Sequence, residues 1–192
     1  MIMSPTGVFI MQFVKKQTVN ASADRVWQVF AHDFDDAYKW MASVPESHAV
    51  ANGPQFEGAQ SCGRVCSIDG APGDVKASER FLAYDEQAKT ATVRIDFLNA
   101  NALFPVHHNT LEFSVVDKGH GTCVMTWVFH SKIRLWAYLI WPLLRIGFGI
   151  FVGQIIEELT CFVETGEPHS RKLAALKKAN SARPQAVASG DR

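Results

Sequence analysis

The chain has 192 residues, 47% of them hydrophobic and 20% charged, with thirteen Phe and five Trp. That is enough apolar volume for a folded core, too much for a disordered chain, and a length that suits one domain. Lys plus Arg and Asp plus Glu number 19 each, so no overall field draws in a phosphate backbone, and nucleic acid is not an expected partner.

In chain order, residues 1–11 read as a flexible start. The segment MIMSPTGVFIMQFVKK has no basic residue ahead of its short apolar run, so it does not resemble a signal peptide and the cytoplasm is the expected location. A first strand is predicted over Phe13 to Val19. Asn20 to Ser22 then offer N-cap chemistry for a short helix, ADRVWQVF, that buries Val26, Val29 and Phe30. A second short helix near Asp35 to Met41 carries Tyr38 and Trp40.

From about residue 47 to 131 the pattern changes to strands: SHAVAN, SCGRVCSI, VKASERFLAYD, TATVRIDF, NTLEFSVV and TCVMTWVFHS. Turn-formers such as DEQAK and DKGHG join them, so the sheet is expected to be largely antiparallel. Alternation points Ala77, Glu79, Phe81 and Ala83 inward, then Ala91, Val93, Ile95 and Phe97, then Leu111, Phe113 and Val115, then Cys123, Met125, Trp127 and Phe129.

A long apolar stretch, Ile133 to Val163, comes next. Arg145 interrupts it, and Glu157 and Glu158 come eleven uncharged residues later, whereas a spanning helix needs about 18 to 20 apolar residues. Pro142 suits a helical first turn, and Gly166 and Pro168 suit a stop, so a helix is predicted from 142 to 164. Leu144, Phe148, Phe151, Ile155, Leu159 and Phe162 form its apolar stripe. Gly147, Gly149 and Gly153 weaken a helix. They suit close packing, room for a bound molecule, or a GxxxG contact.

Chemistry is sparse. Motifs of nucleophilic hydrolases, zinc proteases and nucleotide-binding loops are absent, and neither a catalytic residue nor a cofactor is expected. Cys62 and Cys66 lie four apart without nearby His or Cys partners, so a metal site is not expected. Glu79 stands out, because a lone carboxylate among inward apolar side chains is costly. It suits a salt bridge to Arg64 or Arg94, an anchor for a ligand's hydroxyl or amine, or general acid/base work. Of His107 and His108, adjacent on a strand, at most one faces inward; His130 and Tyr84 are weaker candidates. A curved sheet of seven strands around one long helix leaves a hollow, the kind of apolar site that holds small lipophilic molecules.

The order of elements, with ASADRVWQVF, FDDAYKW, GRVCSIDG, ERFLAYDEQAKTATVRI, LEFSVVDKGHGTCVMTW and FVETGEPHSRK, resembles the START-related superfamily that includes polyketide cyclases, aromatases and lipid-transfer proteins. The resemblance spans about residues 12 to 172 and implies an α+β helix-grip domain over 12–170 that binds a hydrophobic ligand between sheet and C-terminal helix. The expected lining is Arg64, Glu79, Phe81, Val93, Ile95, His107, Phe113, Met125, Trp127, Phe129, Phe148, Phe151 and Ile155. Two rival functions stay open: a cyclase- or aromatase-like enzyme led by Glu79, Arg64 and one His, and a lipid-handling protein at a membrane surface. Trp136, Tyr138 and Trp141 are amphipathic aromatics that suit a cavity mouth, a homodimer or a weak bilayer contact. Residues 171–192 hold six of the 19 basic and one of the 19 acidic residues, a charge of +5 against −5 for the rest. This tail is expected to be largely disordered after KLAALKKA.

Overall fold

A computed structural model describes residues 2–3, 9–71 and 73–182. Eight strands form one antiparallel sheet: β1 (Ile2–Met3), β2 (Phe9–Val19), β3 (Ser47–Ala49), β4 (Gly63–Ser67), β5 (Lys76–Asp85), β6 (Thr90–Leu98), β7 (Val106–Gly119) and β8 (Thr122–Ile133). Their spatial order is β1-β2-β8-β7-β6-β5-β4-β3. Seven of these are the expected strands, and the two-residue β1 adds an eighth at the edge. The first full strand begins at Phe9 rather than Phe13, and Ile10 pairs with both Ile2 and Lys132. Part of the segment read as a flexible start therefore belongs to the sheet; residues 1 and 4–8 lie outside the described residues.

Helix α1 (Ala23–Trp27) is capped by Ser22, whose Oγ accepts from the Arg25 N–H at 3.2 Å. It runs on as a wide π turn, Gln28–His32, and then a 3₁₀ segment, Phe34–Lys39. These pieces press Trp27, Phe30 and Phe34 onto one end of the sheet's inner face. Phe30 stacks on Phe113 with ring centroids 3.6 Å apart, and Phe34 meets Phe81 at 4.4 Å.

Across the other end lies α2 (Trp141–Thr165), entered through a 3₁₀ turn, Leu135–Ile140. Pro142 sits in its first turn, and Gly166 ends it at φ 76°, a left-handed backbone that glycine adopts without a Cβ penalty. Its buried face is Val152, Ile155, Ile156, Leu159 and Val163. Burying five such side chains contributes roughly 8 to 15 kcal/mol before entropy is subtracted. This seam is rotated from the predicted stripe: Phe162 and Leu144 are only half-buried, and Phe151 is exposed. The reason is Gly149. A Cβ there would stand 3.2 Å from the Phe13 ring, so the helix closes on the sheet along its glycine side. At Gly147 and Gly153 an added Cβ meets nothing within 4 Å, and close packing explains only the middle glycine.

The segment KLAALKKA, read at the start of the tail, is helical. Helix α3 (Ser170–Ala182) continues the domain, and Lys172 is buried with its Nζ donating to the Val44 carbonyl at 2.8 Å. Residues 183–192 lie outside the described residues.

Candidate functional site

The inner face of the sheet divides in two. Under α1 and its continuation it is filled solid; under the first half of α2 it is hollow, leaving a cavity of about 270 Å³. That is near the lower bound of the ~300–1,000 Å³ usual for ligand pockets and suits a compact guest.

Eight of the thirteen predicted residues line this cavity: Arg64, Glu79, Ile95, Trp127, Phe129, Phe148, Phe151 and Ile155. Phe81, Val93, Phe113 and Met125 do not: all four are fully buried core, Phe113 beneath Phe30 and Trp27 and Phe81 against Phe34. His107 also stays out. Register in β7 shifts between Val106 and His108, which makes His107 the extra residue of a bulge and turns Val106 and Asn109 inward instead. His107 lies in a second, shallow groove with Ala102, Arg134, Leu135, Trp136 and Leu139. A similar bulge between Phe81 and Ala83 in β5 breaks the predicted alternation. Ala83 is exposed, and Tyr84 packs inward 5.2 Å from Trp27.

The walls that periodicity did not supply come from irregular segments. Phe30, Phe34, Trp40, Met41 and Val44 close one side, and Phe97, Phe104 and Val106 flank the β6–β7 loop. The Met41–Val44 wall is braced from behind. Buried Glu158 accepts from the Ala42 N–H at 2.8 Å and from Arg171 Nε at 2.8 Å, while Lys172 holds Val44. Burial pushes the Lys172 ammonium below its ordinary range, with Glu158 opposing.

One ion pair stands on the cavity wall. Arg64 and Glu79 are direct cross-strand partners of β4 and β5, joined by Nε–H to Oε2 at 2.9 Å and Nη2 to Oε2 at 2.7 Å. Arg64 also donates through Nη1 to the Phe34 carbonyl at 2.6 Å and lies 4.1 Å from the Phe34 ring centroid. Burial opposes its charge, yet Glu79 and the other neighbours outweigh that and raise its pKa. The approach that permits this pairing is made by Gly63, where a Cβ would fall 2.1 Å from the Glu79 carbonyl oxygen. Arg94, the other candidate partner, pairs with Asp96 at 2.9 Å. Cys66 also lines the cavity, its thiol pushed up to about 12 by burial. Among the described residues no group of three or more His, Cys, Asp or Glu could hold a metal.

A separate polar cluster lies where α1 meets the β5–β6 hairpin. Glu86 Oε2 accepts from Trp27 Nε1 at 2.9 Å and from the Tyr84 hydroxyl at 2.8 Å, and His32 Nε2 stands 2.9 Å away. Burial alone would raise the carboxyl's pKa, but these hydrogen bonds prevail and hold it at about 2. Glu86 does not line the cavity, and the cluster clasps hairpin to helix. His130 pairs with Glu112 at 3.2 Å, also away from the cavity.

Solved structures with this arrangement are numerous. A START superfamily protein from Mycobacterium smegmatis is similar at TM-score 0.63 and 13% identity, over 80% of this chain and 97% of that one. Norcoclaurine synthase from Thalictrum flavum, solved with dopamine and hydroxybenzaldehyde, is similar at 0.59 and 15%, over 82% and 88%. Ara h 8.0201 is similar at 0.58 and 12%, over 81% and 98%. At these identities the likeness shows the fold alone. No curated protein matches the chain. Residues 11–158 match the family described as polyketide cyclase / dehydrase and lipid transport. With the sheet and the gripping helix, this establishes that the chain belongs to that family and shares its helix-grip fold with a solved START superfamily structure.

Proposed function

We propose that the chain binds one compact hydrophobic or weakly amphipathic molecule in the cavity and serves as its carrier or store. The observation that carries this is the state of the ionisable groups on the wall. Arg64 and Glu79 satisfy one another at 2.7–2.9 Å, and the Cys66 thiol is held protonated, so the wall offers a guest apolar surface and little free acid, base or nucleophile. A cyclase-like reaction led by Glu79 would draw on a carboxylate already engaged by Arg64.

The test is a titration with a neutral naphthylamine dye, alongside native mass spectrometry of protein purified from its own host. Saturable one-to-one binding is expected for the wild type. Ala77 lies on the cavity wall, so Ala77→Phe is expected to fill the hollow and abolish binding while the fold persists. Undiminished binding by a folded Ala77→Phe would refute the cavity reading. A copurified molecule that the protein alters on incubation would favour the enzyme instead.

A further inference from the structure

One side of the molecule is apolar and uncovered. Leu135, Leu139 and Leu143 are 83%, 89% and 69% exposed, with Ile146, Ile150 and Leu103 also in water. The β6–β7 loop joins this side through the Trp136 indole N–H, which donates to the Ala102 carbonyl at 3.1 Å. Six large apolar side chains, each more than half exposed, gather on this side, the kind of exposed apolar surface that marks an interaction site.

We propose that this face docks on a bilayer surface carrying anionic lipid. Charge is the first argument. The segments that build the face, residues 97–111 and 129–156, contain Lys132, Arg134 and Arg145 and no Asp or Glu, the nearest acids being Asp96, Glu112 and Glu157 at their ends, an arrangement that attracts anionic headgroups. Trp136, Tyr138 and Trp141 supply the amphipathic rings that favour the headgroup level. Length fixes the mode of contact. Leu135–Thr165 is long and apolar enough by composition to cross a bilayer, but from Val152 onward the helix is committed to the sheet. The free part, residues 135–151, is divided between the 3₁₀ turn and α2 and carries Arg145 in its middle, so it does not supply the ~20 consecutive apolar residues of one spanning helix. The helix therefore lies in the interface and does not span it.

The same face borders the cavity. Phe151 is exposed and yet lines the hollow, and half-buried Phe97, Phe104 and Phe148 line it too. Docking turns this rim toward lipid, so a guest leaves or enters the bilayer without crossing open water. That last step rests on the proposed ligand binding; the docking itself does not.

Co-sedimentation of the full chain with vesicles of phosphatidylcholine containing phosphatidylglycerol, and with pure phosphatidylcholine, tests the docking. The wild type is expected to bind the anionic vesicles, less at high salt, and its tryptophan emission to shift blue. Trp27, Trp40 and Trp127 are buried, so the shift reports Trp136 and Trp141. Leu139→Asp/Ile146→Asp, at exposed positions that leave the core intact, is expected to lose roughly a hundredfold in binding, and Arg145→Glu roughly tenfold. Absence of wild-type binding, or equal binding by the double variant, would overturn the proposal. So would a vesicle-free dimer that the double variant dissociates, since a second copy would then cover the face. Ala77→Phe is expected to bind vesicles as the wild type does, so failure of the ligand reading leaves this test intact.

Discussion

Replacing Glu79 by Leu leaves the Arg64 guanidinium without its carboxylate, 6% exposed and held only by the Phe34 carbonyl and ring. Removing one partner of a buried pair costs about 3–5 kcal/mol, because the remaining charge is desolvated without compensation. For a chain of this size each kcal/mol lowers Tm by roughly 2–4 °C, so the variant should melt about 6–20 °C below the wild type. The double variant Arg64→Met/Glu79→Leu removes both charges and substitutes apolar side chains of similar reach. It is expected to regain most of the loss, within about 1 kcal/mol of the wild type or above it. Urea unfolding followed by circular dichroism measures these two variants and the single Arg64→Met, and the cycle gives a coupling of at least about 2 kcal/mol. If Glu79→Leu costs less than about 1 kcal/mol, or the double variant is no better than the worse single one, Arg64 and Glu79 are not a buried, mutually dependent unit.

Two glycines should respond in opposite directions to the same added methyl group. Gly147→Ala, in an exposed turn of α2 with nothing within 4 Å of the new Cβ, should raise stability by about 0.5–1 kcal/mol in urea unfolding. Gly63→Ala, aimed 2.1 Å from the Glu79 carbonyl oxygen, should lower it by at least about 2 kcal/mol and loosen the β4–β5 pairing, seen as lost amide-exchange protection. Glu86 governs the acid limb. Its folded pKa of about 2 lies below the ordinary 4.5, so its stabilisation is complete above about pH 4.5 and is lost as pH falls toward 2. Because the side chain is 37% exposed, screening reduces the effect to about 1 kcal/mol. Glu86→Gln should be less stable than the wild type near neutral pH and converge with it near pH 2.

Most of the architecture was legible because it rests on two periods. Strand alternation located Ile95, Trp127 and Phe129, and helix spacing located Phe148 and Ile155, all on the cavity wall. The same rule failed at Ala83 and His107 for one reason: each lies at a bulge, where a single extra residue reverses the facing of the strand beyond it. Periodicity also could not divide the inner face into filled and hollow halves. Phe113 and Ile95 both point inward, and only the path of the π turn and 3₁₀ segment decides which is covered by Phe30. The ion pair was half legible: alternation placed Glu79 inward and, with Val93 and Ile95, turned Arg94 to the other face, while only register set Arg64 opposite Glu79. In α2 both faces of the first half are apolar, and the choice of seam fell to Gly149, whose packing against Phe13 joins residues far apart in sequence.

The pairing of β2 with β8 has a consequence for how the chain reaches this shape. Met11 meets Ser131 across 120 residues, so the opening strand finds its neighbour only after nearly all the others have been synthesised. Contacts of such long range close slowly, because the loop entropy is lost before the pairing is gained. During that interval β8 has an unpaired edge, and Phe148 and Gly149 of α2 lack the Phe13 ring they pack against. A nascent chain of this kind is open to sticking and to protection by chaperones, and conditions that slow late folding should affect its yield more than its final stability.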